Sequence, residues 1–272
     1  MKKTDMHMHT CASDGTWDVW ELKDEIKKNK IDIFSITDHD CVDNVKNMQD
    51  ILLPSDNLLF IPGTELSADY NGREYHLTLY NFDLNNKGLL ELIDWTNQSK
   101  LSSNKEYIKT FAANKYDSIS FEDFEKYSYD RKRGGWKSAN YMIDKGIHKD
   151  FLIHLNDVKE SGLKAVLKSP EEVIDVAKKT GGKLFLAHPS YHFKDGVMPE
   201  EELKFWLEQG IDGIECFSPY NKGGAQYYIE FCKKNNLMIS GGSDCHGSFI
   251  PSRKLGVPHA ELSDLNLKKL LN

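Results

Sequence analysis

Six of the ten histidines lie in short patches beside an acid or at the end of an apolar run: Met6-His7-Met8-His9, Thr37-Asp38-His39-Asp40, Tyr75-His76, Ala187-His188-Pro189 and Ser243-Asp244-Cys245-His246. Neutral imidazole is the commonest metal ligand. Strand side chains repeat every two residues, so His7 with His9, and Asp244 with His246, each aim two donors at one face. Asp14 follows in Asp14-Gly15-Thr16, a run that also reads as a turn and helix cap. Pro62-Gly63-Thr64-Glu65 puts a carboxylate directly after an apolar run, and the two oxygens of one Glu can reach two ions. His76 opens His-Leu-Thr-Leu-Tyr, whose alternation puts His76, Thr78 and Tyr80 on one face. The candidate ligands are therefore His7, His9, Asp14, His39, Glu65, His76, His188, Asp244 and His246. That is more than one ion can use. A mixed nitrogen and oxygen set needing no thiolate suits two or three divalent ions, Mn, Fe or Zn, with positions left open for water and substrate.

Each patch alone has a structural explanation. A buried His can donate to a backbone carbonyl, Glu65 can be a solvated loop residue, and Asp40 is expected to cap the helix after it. An acid or imidazole at the same end of nearly every strand is hard to explain structurally, because ionisable groups at strand ends need partners or metal.

The elements that must position these residues show in the period. Strand-like runs recur at Thr4 to His9, Ile31 to Thr37, Leu58 to Leu66, Tyr75 to Phe82, Lys183 to His188, Gly210 to Phe217 and Leu237 to Ser243. Amphipathic helices are expected over Trp17 to Lys30, Pro170 to Lys179, Pro199 to Gln209 and Ala225 to Asn235. Strand and helix in alternation imply a parallel sheet. The polar residues all follow the apolar part of their strand, as on the C-terminal rim of a barrel enzyme. The expected fold is α/β, a distorted (β/α)7 TIM-like barrel formed by residues 1–100 and 169–272. Residues 101–168 break the rhythm and read as an inserted helical subdomain, with a basic turn at Arg131-Lys132-Arg133.

A chain of 272 residues with 39% hydrophobic content supports one sizeable core. No apolar run approaches the roughly 18 residues of a membrane helix, and nothing apolar follows Met-Lys-Lys. Five cysteines without a C-x-x-C pair fit a reducing cytoplasm. The net charge of −7 argues against generic affinity for nucleic acid. It is uneven, however. From Lys100 to Lys168, 14 Lys and Arg against 10 Asp and Glu leave +4, so the remainder carries −11. A positive lobe beside an acidic metal site suits a small anionic substrate.

Taken together, the motifs His7-Met-His9 with Ser13-Asp14-Gly15, Thr37-Asp38-His39-Asp40, Pro62-Gly63-Thr64-Glu65, Ala187-His188-Pro189 and Gly242-Ser243-Asp244-Cys245-His246 resemble those of the polymerase and histidinol phosphatase (PHP) superfamily of metal-dependent phosphoesterases. The resemblance spans about three quarters of the chain. It implies a trinuclear site: His7, His9, Glu65 and Asp244 on one metal, Asp14, His39 and His246 on a second, and His76 and His188 on a third with Glu65 bridging. The layout looks most like the branch acting on nucleoside 3',5'-bisphosphates and RNA 5' ends. The expected activity is hydrolysis of a phosphate monoester on a small nucleotide-like substrate, by in-line attack of metal-bound hydroxide. Alternatives are 5'-3' exonuclease action on short oligonucleotides, a histidinol-phosphate phosphatase, and a non-catalytic metal-binding scaffold. That branch often has an Arg after His-Pro to grip phosphate, whereas this chain reads His188-Pro-Ser-Tyr191-His192. Arg131 and Arg133 are candidates to supply the guanidinium, Lys222 is a second place for a cation, and His192 is a candidate proton donor to the leaving group.

Overall fold

In the computed structural model, which describes residues 2–193, 196–221 and 223–271, the first half of the chain runs β1 (Lys3–Asp5), α1 (Val19–Lys28), β2 (Ile33–Phe34), α2 (Asp43–Ile51), β3 (Leu59–Phe60), β4 (Gly63–Tyr70), β5 (Arg73–Tyr80) and α3 (Lys87–Glu106). Short helices follow: α4 (Ala113–Lys115), α5 (Phe121–Lys126), α6 (Lys137–Asp144) and α7 (Phe151–Ser161). The strand and helix rhythm resumes with α8 (Pro170–Lys179), β6 (Lys183–Leu186), α9 (Glu200–Gln209), β7 (Gly213–Phe217), α10 (Ala225–Lys234), β8 (Met238–Gly241), β9 (Ala260–Glu261) and α11 (Lys268–Leu271).

The helices form where caps and apolar stripes coincide. Asp18 accepts from the backbone N–H of Trp20 and Glu21 while Glu21 reaches back to Asp18, so α1 opens on a capping box. It buries Val19, Leu22 and Ile26 on one face. Helix α8 opens the same way, with Ser169 as cap and Pro170 in the first turn, and buries Val173, Ile174 and Ala177.

The strands form an α/β fold with two mixed sheets, ordered β3-β2-β1-β9 and β4-β5-β6-β7-β8. In the first, β1, β2 and β3 are parallel and β9 is antiparallel. In the second, β4, β5 and β6 run antiparallel and β6, β7 and β8 parallel. The expected closed barrel is not what the ladders give. The run Leu58 to Leu66 splits at Pro62, which has no N–H to donate to a ladder, so β3 edges one sheet and β4 edges the other. The sheets instead meet at isolated bridges, Met8 with Cys245 and His39 with Glu65. Backbone bonds from Met6 N to Gly241 O at 3.0 Å and from His9 N to Cys245 O at 2.8 Å stitch one seam. Asp40 N to Glu65 O at 2.7 Å stitches the other. Both seams run through the polar patches.

Between the sheets lie Met6, Ile33, Ile61, Tyr80, Phe185 and Met238. Outside the second sheet a larger core gathers Leu66, Leu77, Leu186 and Trp206. Within the segment read as an insertion, Tyr107, Phe124, Tyr141 and Met142 make a cluster of their own. Residue 101 falls inside α3, which buries Leu89, Leu92 and Ile93 in the larger core before its continuation enters that cluster. No helix among the described residues is long and apolar enough to cross a membrane.

Seam packing makes a test. A Cβ on Gly242 would lie 2.3 Å from His7 Cβ and 2.4 Å from His7 N. Gly242→Ala must push β8 away from β1, and urea denaturation should show a loss of about 1–3 kcal/mol; an unchanged midpoint would mean the seam is not tightly packed.

Candidate metal centre

Both seams deliver their polar patches to one place, and Glu65 is its hub. This carboxylate is fully buried. Its Oε2 lies 3.2 Å from His7 Nε2, 3.3 Å from His9 Nε2 and 3.0 Å from His39 Nδ1. Its Oε1 lies 2.9 Å from His188 Nε2 and 3.2 Å from His76 Nδ1. Asp244 Oδ1 stands 3.1 Å from His9 Nε2 and 3.6 Å from His7 Nε2. Asp14 completes the set, with Oδ1 3.4 Å from His246 Nε2 and Oδ2 3.9 Å from His39 Nε2. Every one of the nine candidate ligands from the sequence is brought together here.

The donors fall into four overlapping groups, each with ligand atoms within 4.8 Å of one another: His9, Asp14, His39 and His246; His7, Glu65 and His188; His7, His9 and Asp244; and His39, Glu65 and His76. Donors each about 2.0–2.2 Å from one ion sit roughly 3.3 Å apart, which is the spacing around Glu65. Three buried atoms, His9 Nδ1, His39 Nδ1 and Glu65 Oε2, lack a hydrogen-bond partner. His39 Nδ1 and Glu65 Oε2 approach to 3.0 Å without making one. Buried donor atoms left without partners in this way fit a divalent cation better than a network of internal hydrogen bonds.

The electrostatics agree. Burial alone would push the Glu65 carboxyl up, but His7, His76, His39 and the bond from His188 hold it well below the carboxylate range. Asp14 and Asp244 are lowered against burial in the same way, the first by His246 and His39, the second by His7 and Arg253. In return, and against burial, Glu65 and Glu74 raise His76 to about 10, and Glu65, Glu215 and Asp244 raise His7. His9 and His39 are lowered, chiefly by burial. Backbone strain marks the same residues: His188 has φ 28° and Asp244 φ 50°. Conformations of that kind cost about 1–3 kcal/mol each and cluster at functional sites.

Two supporting residues, Glu215 and Arg253, escape the motif reading, and a third, Asp38, lies inside a motif without a role assigned to it. Glu215 Oε2 accepts from His188 N at 2.7 Å and faces His7 Nδ1 at 3.2 Å, fixing both candidate ligands. A lone acid inside the apolar β7 was the available signal. Asp38 accepts from Thr10 N at 2.7 Å and Ser13 Oγ at 2.6 Å, and so shapes the loop carrying Asp14. Arg253 Nη1 lies 2.7 Å from Asp244 Oδ2; no local pattern marks it. Asp40 is not a helix cap. Val42 holds that position, while Asp40 accepts from Ser67 N at 3.0 Å and Lys100 Nζ at 2.9 Å. Lys100 also pairs with Glu74 at 3.1 Å, and Glu74 faces His76 Nε2 at 3.4 Å.

The candidate substrate contacts fare unequally. His192 lines a cavity of about 120 Å³ with Glu74, Tyr75, His76, His188 and Tyr191, and its Nε2 is 2.8 Å from Glu74 O. Arg131 donates to the carbonyls of Ala12 and Ser13, beside Asp14. Arg133 does not reach the cluster: both its terminal nitrogens bond Asp144 at 2.7 Å, at the end of α6. Lys222 lies outside the described residues.

No protein-family model matches the sequence. The chain is 24% identical over 252 residues to a 5'-3' exoribonuclease of Haemophilus influenzae, covering 90% of each chain. It is 22% identical over 260 residues to the 5'-3' exoribonuclease Rnm of Escherichia coli, covering 89% of this chain and 84% of that one. Among solved structures it superposes with TM-score 0.83 and 21% identity on a protein of Bifidobacterium adolescentis described as a metal-dependent phosphoesterase, over 98% of this chain and 95% of the other. An amidohydrolase from Chromobacterium violaceum, solved with sulfate and without metal, gives TM-score 0.74 at 18% identity over 95% and 91%. The fold is thus one shared with the protein described as a metal-dependent phosphoesterase. The two neighbours bear different activity names, so the bond cleaved must be argued from the site.

Metal binding has a proton signature. Coordination needs neutral imidazole, and in the metal-free protein His76 keeps its proton up to about 10, with His7 also raised. The site carboxylates are already ionised near neutrality, so protons leave from imidazole or from water taken up with the ion. Adding Mn or Zn to metal-free protein should release at least one proton, and affinity should climb about tenfold per pH unit per proton between pH 6 and 8. Calorimetry in two buffers of different ionisation enthalpy checks this; zero release would contradict the site.

Proposed function

We propose that the chain is a metal-dependent phosphoesterase, a hydrolase of phosphate esters on small nucleotide-like substrates. The observation that carries the reading is the gathering of nine nitrogen and oxygen donors, with no thiolate, into four overlapping groups, the buried carboxylate of Glu65 among them. Two or three ions of Mn, Fe or Zn would be held by His7, His9, Glu65 and Asp244, by Asp14, His39 and His246, and by His76 and His188 with Glu65 shared. The approach of both His76 and His188 to Glu65 Oε1, at 3.2 and 2.9 Å, favours the third of these groups. When bound, such ions lower the pKa of water and neutralise charge on phosphoryl oxygens during in-line displacement.

The chain's own groups do the positioning. Glu215 fixes the ring of His7, and Glu74, held by Lys100, fixes that of His76. Both supports set the tautomer that leaves the other nitrogen facing Glu65. Burial keeps His192 below the usual imidazole range. With Nε2–H donated to Glu74 O, this neutral ring offers Nδ1 as an acceptor, so it suits orientation of substrate better than protonation of a leaving group.

A second reading concerns the ester. The relatives named as 5'-3' exoribonucleases align over most of their length, which favours cleavage from the 5' end of short RNA. Long nucleic acids remain poor candidates, because the chain outside Lys100 to Lys168 is acidic. A histidinol-phosphate phosphatase stays a third substrate to try. A scaffold without catalysis fits less well, since every ligand position of the motifs is filled. The cysteines are free thiols, which fits a cytoplasmic setting.

The test is hydrolysis of p-nitrophenyl phosphate with added Mn, before and after EDTA. Activity should vanish with the metal. His9→Ala and Asp244→Ala should lower kcat by at least about 10–100-fold, the range already seen for losing a partner of a ligand, with circular dichroism unchanged. Turnover that survives EDTA would end this reading. Comparing a nucleoside 3',5'-bisphosphate, a 5'-phosphorylated short oligonucleotide and histidinol phosphate then ranks the esters.

A further inference from the structure

Arg253 belongs to none of the motifs, yet its side chain bonds a candidate ligand. Nη1 is 2.7 Å from Asp244 Oδ2 and 3.4 Å from His246 Nδ1, so the guanidinium stands at the edge of the donor cluster. Tyr220 lies against it, with Cζ 5.1 Å from the ring centroid. The Tyr220 hydroxyl donates to the same Asp244 Oδ2 at 3.0 Å, so ring and fork are fixed together. Tyr191 stands edge-on to Tyr220 at 5.1 Å, on the side that leads to His188 and His192. Among the described residues, Nε and Nη2 of Arg253 meet no hydrogen-bond partner, and the side chain stays 19% exposed.

The loop carrying Arg253 is anchored along its length. Ser248 N donates to Thr16 Oγ1 at 3.0 Å, and Gly256 N donates to Asp5 Oδ2 at 2.7 Å. Between them Phe249 packs beneath Gly134 and Gly135, where added Cβ atoms would lie 2.6 and 2.9 Å from it, and against Phe151 at 4.7 Å. The guanidinium is therefore pre-positioned, which lowers the entropy cost of using it. The segment after His188-Pro189 holds no arginine, Arg133 is committed to Asp144, and Arg131 to backbone carbonyls. A planar fork with two open donors beside a metal cluster matches two oxygens of a phosphoryl group.

We propose that Arg253 is a phosphate-binding residue, its Nε and Nη2 edge receiving non-bridging oxygens of the ester while Nη1 keeps Asp244 in place. The proposal rests on the phosphoesterase reading and names the group that orients its substrate. The rival role is positioning alone, with Arg253 acting only through Asp244.

Arg253→Met and Arg253→Lys separate these, using Mn-loaded protein, p-nitrophenyl phosphate as substrate, inorganic phosphate as competitive inhibitor and elemental analysis of the same samples. Arg253→Met should raise both KM and the phosphate inhibition constant about tenfold or more, the loss expected for a charge-assisted fork, with metal content unchanged. Arg253→Lys should recover part of the loss, and Arg133→Met should change neither constant. An unchanged phosphate inhibition constant overturns the proposal. So does a fall in metal content that tracks the loss of activity, or an equal effect of Arg133→Met. If the wild type shows no metal-dependent turnover, the phosphoesterase reading fails by itself. Calorimetric titration of phosphate into wild type and Arg253→Met, both Mn-loaded, then still decides whether Arg253 binds the anion.

Discussion

A carboxylate with no access to water must be paired, and Glu65 is the buried charge on which the rest of this structure turns. Five imidazoles, those of His7, His9, His39, His76 and His188, approach it within 3.3 Å. They come from both sheets, so the carboxylate can be satisfied only if the two sheets meet at their polar ends. Local cost is accepted to achieve this. His188 and Asp244 adopt left-handed backbone, which side chains other than glycine seldom occupy, and three donor atoms go without internal partners.

The seams are held by acids that point away from the hub. Asp5 is fully buried and accepts from Ser243 N at 2.9 Å, His7 N at 3.3 Å and Gly256 N at 2.7 Å. One side chain thereby ties β1, the end of β8 and the loop of Arg253. Asp38 does the same for the turn before Asp14, and Asp40 joins β4 to Lys100 of α3. Such bonds from backbone N–H to carboxylate fix the rim at several independent points, as a set of ligands held within tenths of an ångström requires.

The helical excursion is part of this scaffold. Gly135 N donates to Asp14 O at 2.8 Å, and the Gly134-Gly135 turn covers Phe249. Lys132 pairs with Asp18 and Glu21 at the start of α1, so the basic turn is attached by charge as well as by packing. Its internal order comes from a buried network in which Asp157 accepts from Tyr107, Lys115 and Tyr116. One excursion thus braces both the loop of Asp14 and the loop of Arg253.

The sequence by itself determined the candidate ligands and the helices α1, α8, α9 and α10. H-x-H and D-x-H spacing, acids after apolar runs and the caps at Asp18 and Ser169 are local facts, governed by backbone period and by hydrogen bonds a few residues long. It also located β6 and β7, because apolar runs bounded by turns need no knowledge of their partners. Tertiary structure alone decided which sheet each strand joined. Leu58 to Leu66 reads as one strand, but Pro62 divides it between two sheets, and the ring of strands left open there depends on pairings far apart in the chain. It likewise decided the roles of Asp40, Glu215, Arg133 and Arg253, whose partners lie from 11 residues to more than 200 away or, for Arg253, across a folded loop. A charged side chain has no preferred partner until folding removes water from around it, and only then does the strongest nearby opposite charge claim it.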